Sequence, residues 1–269
     1  MIRDSFIAIV FCGAALSVAP CCAATDAAES VVRVVAALPN GDVAHGSAVV
    51  VGSERVATNC HVVRDARSVH IEVDGRRFRA RIYAGDGEMD LCLFNVPGLT
   101  RSPVAMRSAR EMEIDERVRA IGYPAGGPLV QSVGRIESTY RMYDARVLRV
   151  SARFDKGASG GGLFNAAGEL VGLLTFKAPR GEAFHFVIPV DWIGAIEGGL
   201  RITTPANTHS FWERDPTARM HFLRAAWYSS VEDWPHLAEI CEQWRLAEPD
   251  SHEALTDLRL AESRMRERH

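Results

Sequence analysis

Apolar residues recur along most of the chain in short runs that are too brief for helices and rich in β-branched side chains. Val31-Val32-Arg33-Val34-Val35, Ser68-Val69-His70-Ile71-Glu72-Val73, Arg146-Val147-Leu148-Arg149-Val150 and Leu170-Val171-Gly172-Leu173-Leu174 are examples. Turn signals such as Pro39-Asn40-Gly41-Asp42, Asp74-Gly75 and Ala167-Gly168 separate them. Short strands at regular spacing predict an all-β sandwich or barrel. Asp90 and the turn at Pro97-Gly98 fall near the middle of this region, which splits it into units of about 30–100 and 108–193 with a cleft between them.

The pattern changes at Gly199, because all 22 glycines lie at or before that residue. Beyond it the punctuation is helical. Asp215-Pro216 is expected to open one helix, Asp233 to cap a second, and Asp250 with Glu253 to cap a third. The chain therefore divides into a β region up to residue 199 and a helical segment over 200–269. Ala225-Ala226-Trp227-Tyr228, Asp233-Trp234, Leu237-Ala238, Cys241, Trp244, Ala247 and Pro249 resemble about one and a half tetratricopeptide-type units. Fewer than three such units rarely stand alone. An amphipathic tail packed on the β region is the equal alternative, and docking of a protein partner on these helices is a step beyond either.

At the other end, Ile7 to Val18 is an apolar run too short to cross a bilayer as a helix, and Cys22-Ala23-Ala24 follows it as a small-residue cleavage pattern. Residues 1–24 read as an export signal, which implies a periplasmic or secreted protein with no transmembrane helix in its mature form. A lipid anchor on Cys21 or Cys22 fits less well, since Pro20 is a poor lipobox residue.

A formal net charge of −3 over 269 residues supplies no basic stripe for nucleic acid, and 47% hydrophobic with 24% charged residues argues against disorder. Of six cysteines, Cys12, Cys21 and Cys22 lie in the signal, leaving Cys60, Cys92 and Cys241. An odd count excludes a full disulfide framework, and buried free thiols are preferred to a Cys60–Cys92 bridge. Neither an H-E-x-x-H nor a C-x-x-C pattern is present, so no metal or other cofactor is expected.

Three separated segments carry the chemistry: Thr58-Asn59-Cys60-His61-Val62-Val63, Met89-Asp90-Leu91-Cys92-Leu93-Phe94 and Gly157-Ala158-Ser159-Gly160-Gly161. A serine hydroxyl needs a base to become a nucleophile, an imidazole suits that task near neutral pH, and a carboxylate on the far ring nitrogen selects the useful tautomer. His61, Asp90 and Ser159 are the candidates. Asp86 is a rival for the acid, but the Leu-Cys-Leu-Phe run places Asp90 directly at a strand start.

These segments, with Gly46-Ser47-Ala48-Val49-Val50-Val51, Ile121-Gly122-Tyr123-Pro124, Gly168-Glu169-Leu170-Val171-Gly172 and Phe186-Val187-Ile188-Pro189-Val190, resemble the trypsin-like serine proteases, closest to the bacterial HtrA-type branch, from about Val31 to Ile193. The resemblance implies two six-stranded antiparallel β-barrels of chymotrypsin type. It also implies hydrolysis of polypeptide substrates through an acyl-enzyme, and an oxyanion hole from the amides of Gly157 and Ser159. Arg153 stands where trypsins carry the acid that selects basic side chains, so a Lys or Arg preference is not expected. Phe154, Phe176 and Phe184 suggest an apolar substrate pocket. Ala158 stands where the HtrA-type pattern has Asn, and no PDZ-type segment is appended.

Two other readings remain. Gly157-Ala158-Ser159-Gly160-Gly161 also satisfies the G-x-S-x-G elbow of α/β-hydrolases, but that fold needs a helix after the serine and later Asp and His. The departure at Ala158 and the helical tail also admit a catalytically latent protease-fold binding or chaperone-like protein.

Overall fold

Strands form where the sequence runs are β-branched, and they close into two barrels with the same connectivity. The computed structural model describes residues 26–177, 184–199, 208–214 and 220–267. The first barrel comprises β1 (Val31–Ala37), β2 (Val43–Gly52), β3 (Arg55–Thr58), β4 (Ser68–Val73), β5 (Arg76–Asp86) and β6 (Leu91–Asn95) in the order β1-β2-β3-β6-β5-β4. The second comprises β7 (Arg117–Gly122), β8 (Val130–Met142), β9 (Ala145–Val150), β10 (Gly162–Phe164), β11 (Leu170–Lys177) and β12 (His185–Pro189) in the order β10-β11-β12-β9-β8-β7. Every pairing is antiparallel: β1, for example, sets Val34 opposite Gly46 on one side and Ile71 on the other. The expected all-β architecture of two six-stranded antiparallel barrels with a C-terminal helical segment is the one observed.

Each barrel has its own apolar filling. Val34, Val50, Val56, Ile71 and Phe94 fill the first, and Ile136, Leu148, Leu163, Leu174 and Val187 fill the second. A third, continuous cluster joins the barrels to each other and to the helices, running from Leu91 and Leu93 through Ile121, Phe164 and Phe186 to Trp192, Phe222 and Trp244. Removal of this surface from water at about 25 cal/mol per Å² is what fastens the tail.

Four longer helices come after a single-turn helix α1 (Cys60–Val63): α2 (Asp191–Gly199), α3 (His221–Ser230), α4 (Trp234–Ala247) and α5 (His252–Glu267). The last three pack on the second barrel, where the β8 residue Tyr140 stacks on Phe222 at 4.6 Å between ring centroids and lies 6.0 Å from Trp244. The tail is thus built against the barrel. Asp233 caps α4 as expected, accepting the His236 N–H at 3.4 Å. Ser251, in place of Asp250, caps α5: the helix begins one residue later than the pattern indicated, and the Ser251 hydroxyl accepts the Ala254 N–H at 3.2 Å. The Asp215-Pro216 helix start and the export signal over 1–24 lie outside the described residues. Among the described residues no helix is long and apolar enough to cross a membrane.

Cys60 and Cys92 form a disulfide, which corrects the expectation of free thiols. β3 and β6 pair with Thr58 opposite Cys92, so Cys60, just beyond the end of β3, comes to a Cα–Cα separation of 5.0 Å, within bridging range. Cys241 remains a free, buried thiol, and burial pushes its pKa up to about 12.

Candidate active site

Thr58 ends β3, and the chain then makes the single turn of α1 that carries His61. Asp86 ends β5, and its carboxylate accepts the N–H groups of Glu88 at 2.8 Å and Met89 at 3.1 Å. That turn delivers Asp90, whose φ of 57° is left-handed. Asp tolerates this region better than most residues. Asp86 therefore shapes the turn, and the rival acid serves the backbone.

Asp90 is fully buried and engaged on both oxygens. Oδ1 accepts the His61 backbone N–H at 2.8 Å, and Oδ2 lies 2.6 Å from His61 Nδ1. With the proton on Nδ1 the imidazole donates to that oxygen, leaving Nε2 as the basic nitrogen. The backbone around them is tied as well. Asn59 Nδ2 donates to Asp90 O at 3.0 Å and to Thr175 Oγ1 at 3.2 Å, which links the two barrels at this point.

Ser159 sits in the turn between β9 and β10, with its hydroxyl donating to Thr175 O at 3.1 Å. This turn hangs from the first barrel. Ser47 N–H donates to Ser159 O at 2.9 Å, the Ser47 hydroxyl donates to Gly157 O at 3.0 Å and accepts the Tyr123 N–H at 2.8 Å, and Thr58 Oγ1 donates to Ser47 O at 2.7 Å. Gly157 adopts φ +95°, and a Cβ there would meet Ala125 N at 2.4 Å. Only glycine fits. The N–H groups of Ala158 and Gly160 are used within the fold, by Asp155 O and Leu174 O at 2.9 and 2.8 Å. Those of Gly157 and Ser159 meet no acceptor among the described residues.

The four residues read as substrate-binding do not share one pocket. Phe154 belongs to the filling of the second barrel, 4.8 Å from the ring of His185. Phe176 is sandwiched between Phe186 at 4.7 Å and Trp212 at 5.1 Å, each within 12° of parallel. Phe184 lies under the Arg149 guanidinium, in a cavity it shares with Trp234 and Asp257 of the helical segment. Arg153 is exposed, with its N–H donating to Ser132 Oγ at 3.0 Å. The expected apolar cluster of Phe154, Phe176 and Phe184 is split: Phe154 packs inside the second barrel, while Phe176 and Phe184 pack against the cluster that joins the barrels to the helices.

Sequence reasoning missed Ser47, Thr175 and Trp212. Trp212 lies beyond Gly199, in the C-terminal segment, yet its indole meets the His61 ring edge-on at 5.3 Å. Arg64, just after α1, donates to both oxygens of Glu213.

The G-x-S-x-G elbow reading fails on the fold of the chain after Ser159. There β10 leads into β11, an antiparallel hairpin where an α/β-hydrolase needs a helix.

Two closed antiparallel barrels with this connectivity define the chymotrypsin-like class. Residues 46–173, just under half of the chain, match the trypsin-like peptidase domain family. The chain's relatives are HtrA-type serine proteases. It is 27% identical over 159 residues to the serine endoprotease DegS of Haemophilus influenzae, covering 54% of this chain and 47% of that one. To the periplasmic serine endoprotease DegP of Escherichia coli it is 29% identical over 161 residues, covering 55% of this chain and 34% of the relative. The chain thus spans between about a third and a half of the length of these curated relatives. Among solved structures, the active form of the Rv3671c protease from M. tuberculosis superposes with a TM-score of 0.61 at 24% identity, over 68% of this chain and 86% of that one. The HtrA-type protease AlgW with a tripeptide gives 0.59 at 24% identity, over 64% and 60%.

Proposed function

We propose that this protein is an exported serine endopeptidase that hydrolyses peptide bonds with Ser159 as nucleophile, His61 as general base and Asp90 as the carboxylate that orients the imidazole. The observation that carries this reading is the buried Asp90 carboxylate bonded to His61 through both its oxygens, with Nε2 left as the basic nitrogen. Substrate binding turns the Ser159 hydroxyl from Thr175 O toward Nε2, which takes the proton as Oγ attacks the scissile carbonyl. The oxyanion that forms is met by the unengaged N–H groups of Gly157 and Ser159. His61 then passes the proton to the leaving amine, and water hydrolyses the acyl-enzyme by the same route in reverse. No step calls for a metal or organic cofactor.

Treatment of the purified protein with a fluorophosphonate probe, followed by peptide mass analysis, tests the assignment. An adduct on Ser159 is expected. It should be lost in His61→Ala and slowed by roughly 10⁴-fold in Asp90→Asn, where the wrong tautomer is favoured. A folded protein that takes no adduct would instead be a latent, protease-fold binding protein.

A further inference from the structure

The catalytic carboxylate has a third donor, and it comes from the C-terminal extension. Trp212 Nε1–H donates to Asp90 Oδ2 at 3.1 Å, the same oxygen that faces His61 Nδ1 at 2.6 Å. The indole meets the imidazole at 86° and stacks on Phe176. One side chain therefore touches both the proposed base and its orienting acid.

The segment bearing Trp212 is fastened to the very elements that bear those two residues. Phe211 is 1% exposed, with its ring 5.9 Å from Phe176 and 6.2 Å from Trp192, and its N–H donates to Glu88 O at 2.9 Å in the Asp90 turn. Arg214 pairs with the Glu88 carboxylate. Glu213 accepts from Arg64, three residues beyond His61, and from the Ser210 N–H at 2.9 Å. This anchorage on both sides holds the indole in register with Oδ2.

We propose that Trp212 is a positioning residue for acyl transfer, so that the chain after the second barrel completes the active site. The inference rests on the triad reading above. A buried carboxylate needs its charge met by donors, and His61 supplies one to each oxygen. The indole N–H is a second donor to Oδ2. It stops the carboxylate from swinging about its Cβ–Cγ bond and keeps Oδ2 in line with the imidazole N–H, while the edge-on ring contact fixes the imidazole plane. A buried indole needs some acceptor for its N–H. Use of this oxygen converts that structural need into control of the base.

The test compares wild type with Trp212→Phe, which keeps an aromatic ring and removes the N–H, and with a protein carrying benzothienylalanine at position 212, which keeps the indole shape and replaces N–H by sulfur. Both should lower kcat on a peptide substrate about ten-fold, the scale of one hydrogen bond to a charged group, with KM within about two-fold. The downfield Nδ1–H proton resonance of His61 should shift and exchange faster with water in both. Normal kcat and an unshifted resonance in the benzothienylalanine protein would overturn the proposal, and that isosteric form keeps the test decisive if Trp212→Phe does not fold. Wild-type protein whose Ser159 takes no fluorophosphonate would sink the triad reading and this inference together. Labelled wild type with unaltered variants would sink this inference alone.

Discussion

The Ser47 hydroxyl donates to the carbonyl of Gly157 at 3.0 Å, a bond from the first barrel to the Ser159 turn of the second. The same hydroxyl accepts the Tyr123 N–H, and the Ser47 backbone N–H holds Ser159 O. The peptide unit of Gly157, and with it the proposed oxyanion hole, is thus set by a residue on the opposite barrel. Ser47→Ala leaves the buried Gly157 carbonyl and the Tyr123 N–H without this partner, which costs about 1–3 kcal/mol. The stability loss should be accompanied by a roughly 10- to 100-fold fall in kcat/KM, since small misplacements of reacting groups are costly. Thermal melting and steady-state kinetics on one peptide substrate would separate the two effects.

Gly160 holds the Ser159 turn from the other side. Its φ is +82°, and a Cβ would lie 2.1 Å from Ser47 O, a backbone atom that cannot move aside cheaply. Gly160→Ala is expected to abolish fluorophosphonate labelling of Ser159. Far-ultraviolet circular dichroism should still report strand content in whatever protein remains folded.

The Cys60–Cys92 bridge clamps the strand end before His61 to the strand that starts after Asp90. Its sequence separation of 32 residues gives a loop whose closure is worth about 2–4 kcal/mol in a chain-entropy view. Cys60→Ser with Cys92→Ser should lower the denaturation midpoint by the corresponding amount. In the wild-type protein, Ellman's reagent should find no reactive thiol at Cys241 until the fold is opened, because burial pushes that pKa up to about 12.

Burial alone would raise the pKa of Glu213, but the hydrogen bonds from Arg64 and Ser210 hold it below the ordinary carboxylate value. A depressed carboxylate contributes stability that is present above its unfolded pKa and is lost as pH falls through the folded one. Docking of the Trp212 segment should therefore weaken below about pH 4. Tryptophan fluorescence and Ser159 labelling followed down in pH should show this release, and Glu213→Gln should weaken docking already at neutral pH and flatten the pH dependence.

Asp257 on α5 carries the opposite sign. Burial raises its pKa and Glu253 adds to the effect, while Arg149 opposes it. An acid held above its unfolded value favours the folded state in its protonated form, and that contribution is lost as pH rises through the folded pKa. Asp257→Asn should accordingly raise the melting temperature at neutral pH, and the gain should disappear below about pH 4.

Local signals in the sequence were enough for the strands and for picking out the segments of His61, Asp90 and Ser159 as candidates, because each depends on neighbours a few residues apart: alternation, turn chemistry, glycine spacing. Asp233 as a cap is of the same kind. The Cys60–Cys92 bridge, the bond from Ser47 to Gly157 and the reach of Trp212 to Asp90 were not legible. Each joins residues far apart in the chain, and its existence depends on strand register, barrel closure and the docking of the tail on the second barrel. The dispersal of Phe154, Phe176 and Phe184 has the same origin, since aromatic side chains settle by the apolar surface available to them in three dimensions. Local patterning thus carries the fold class and the chemical groups at hand. Which donors meet the carboxylate is settled only in three dimensions, because hydrogen-bond geometry across the barrels is set by packing and leaves no local trace.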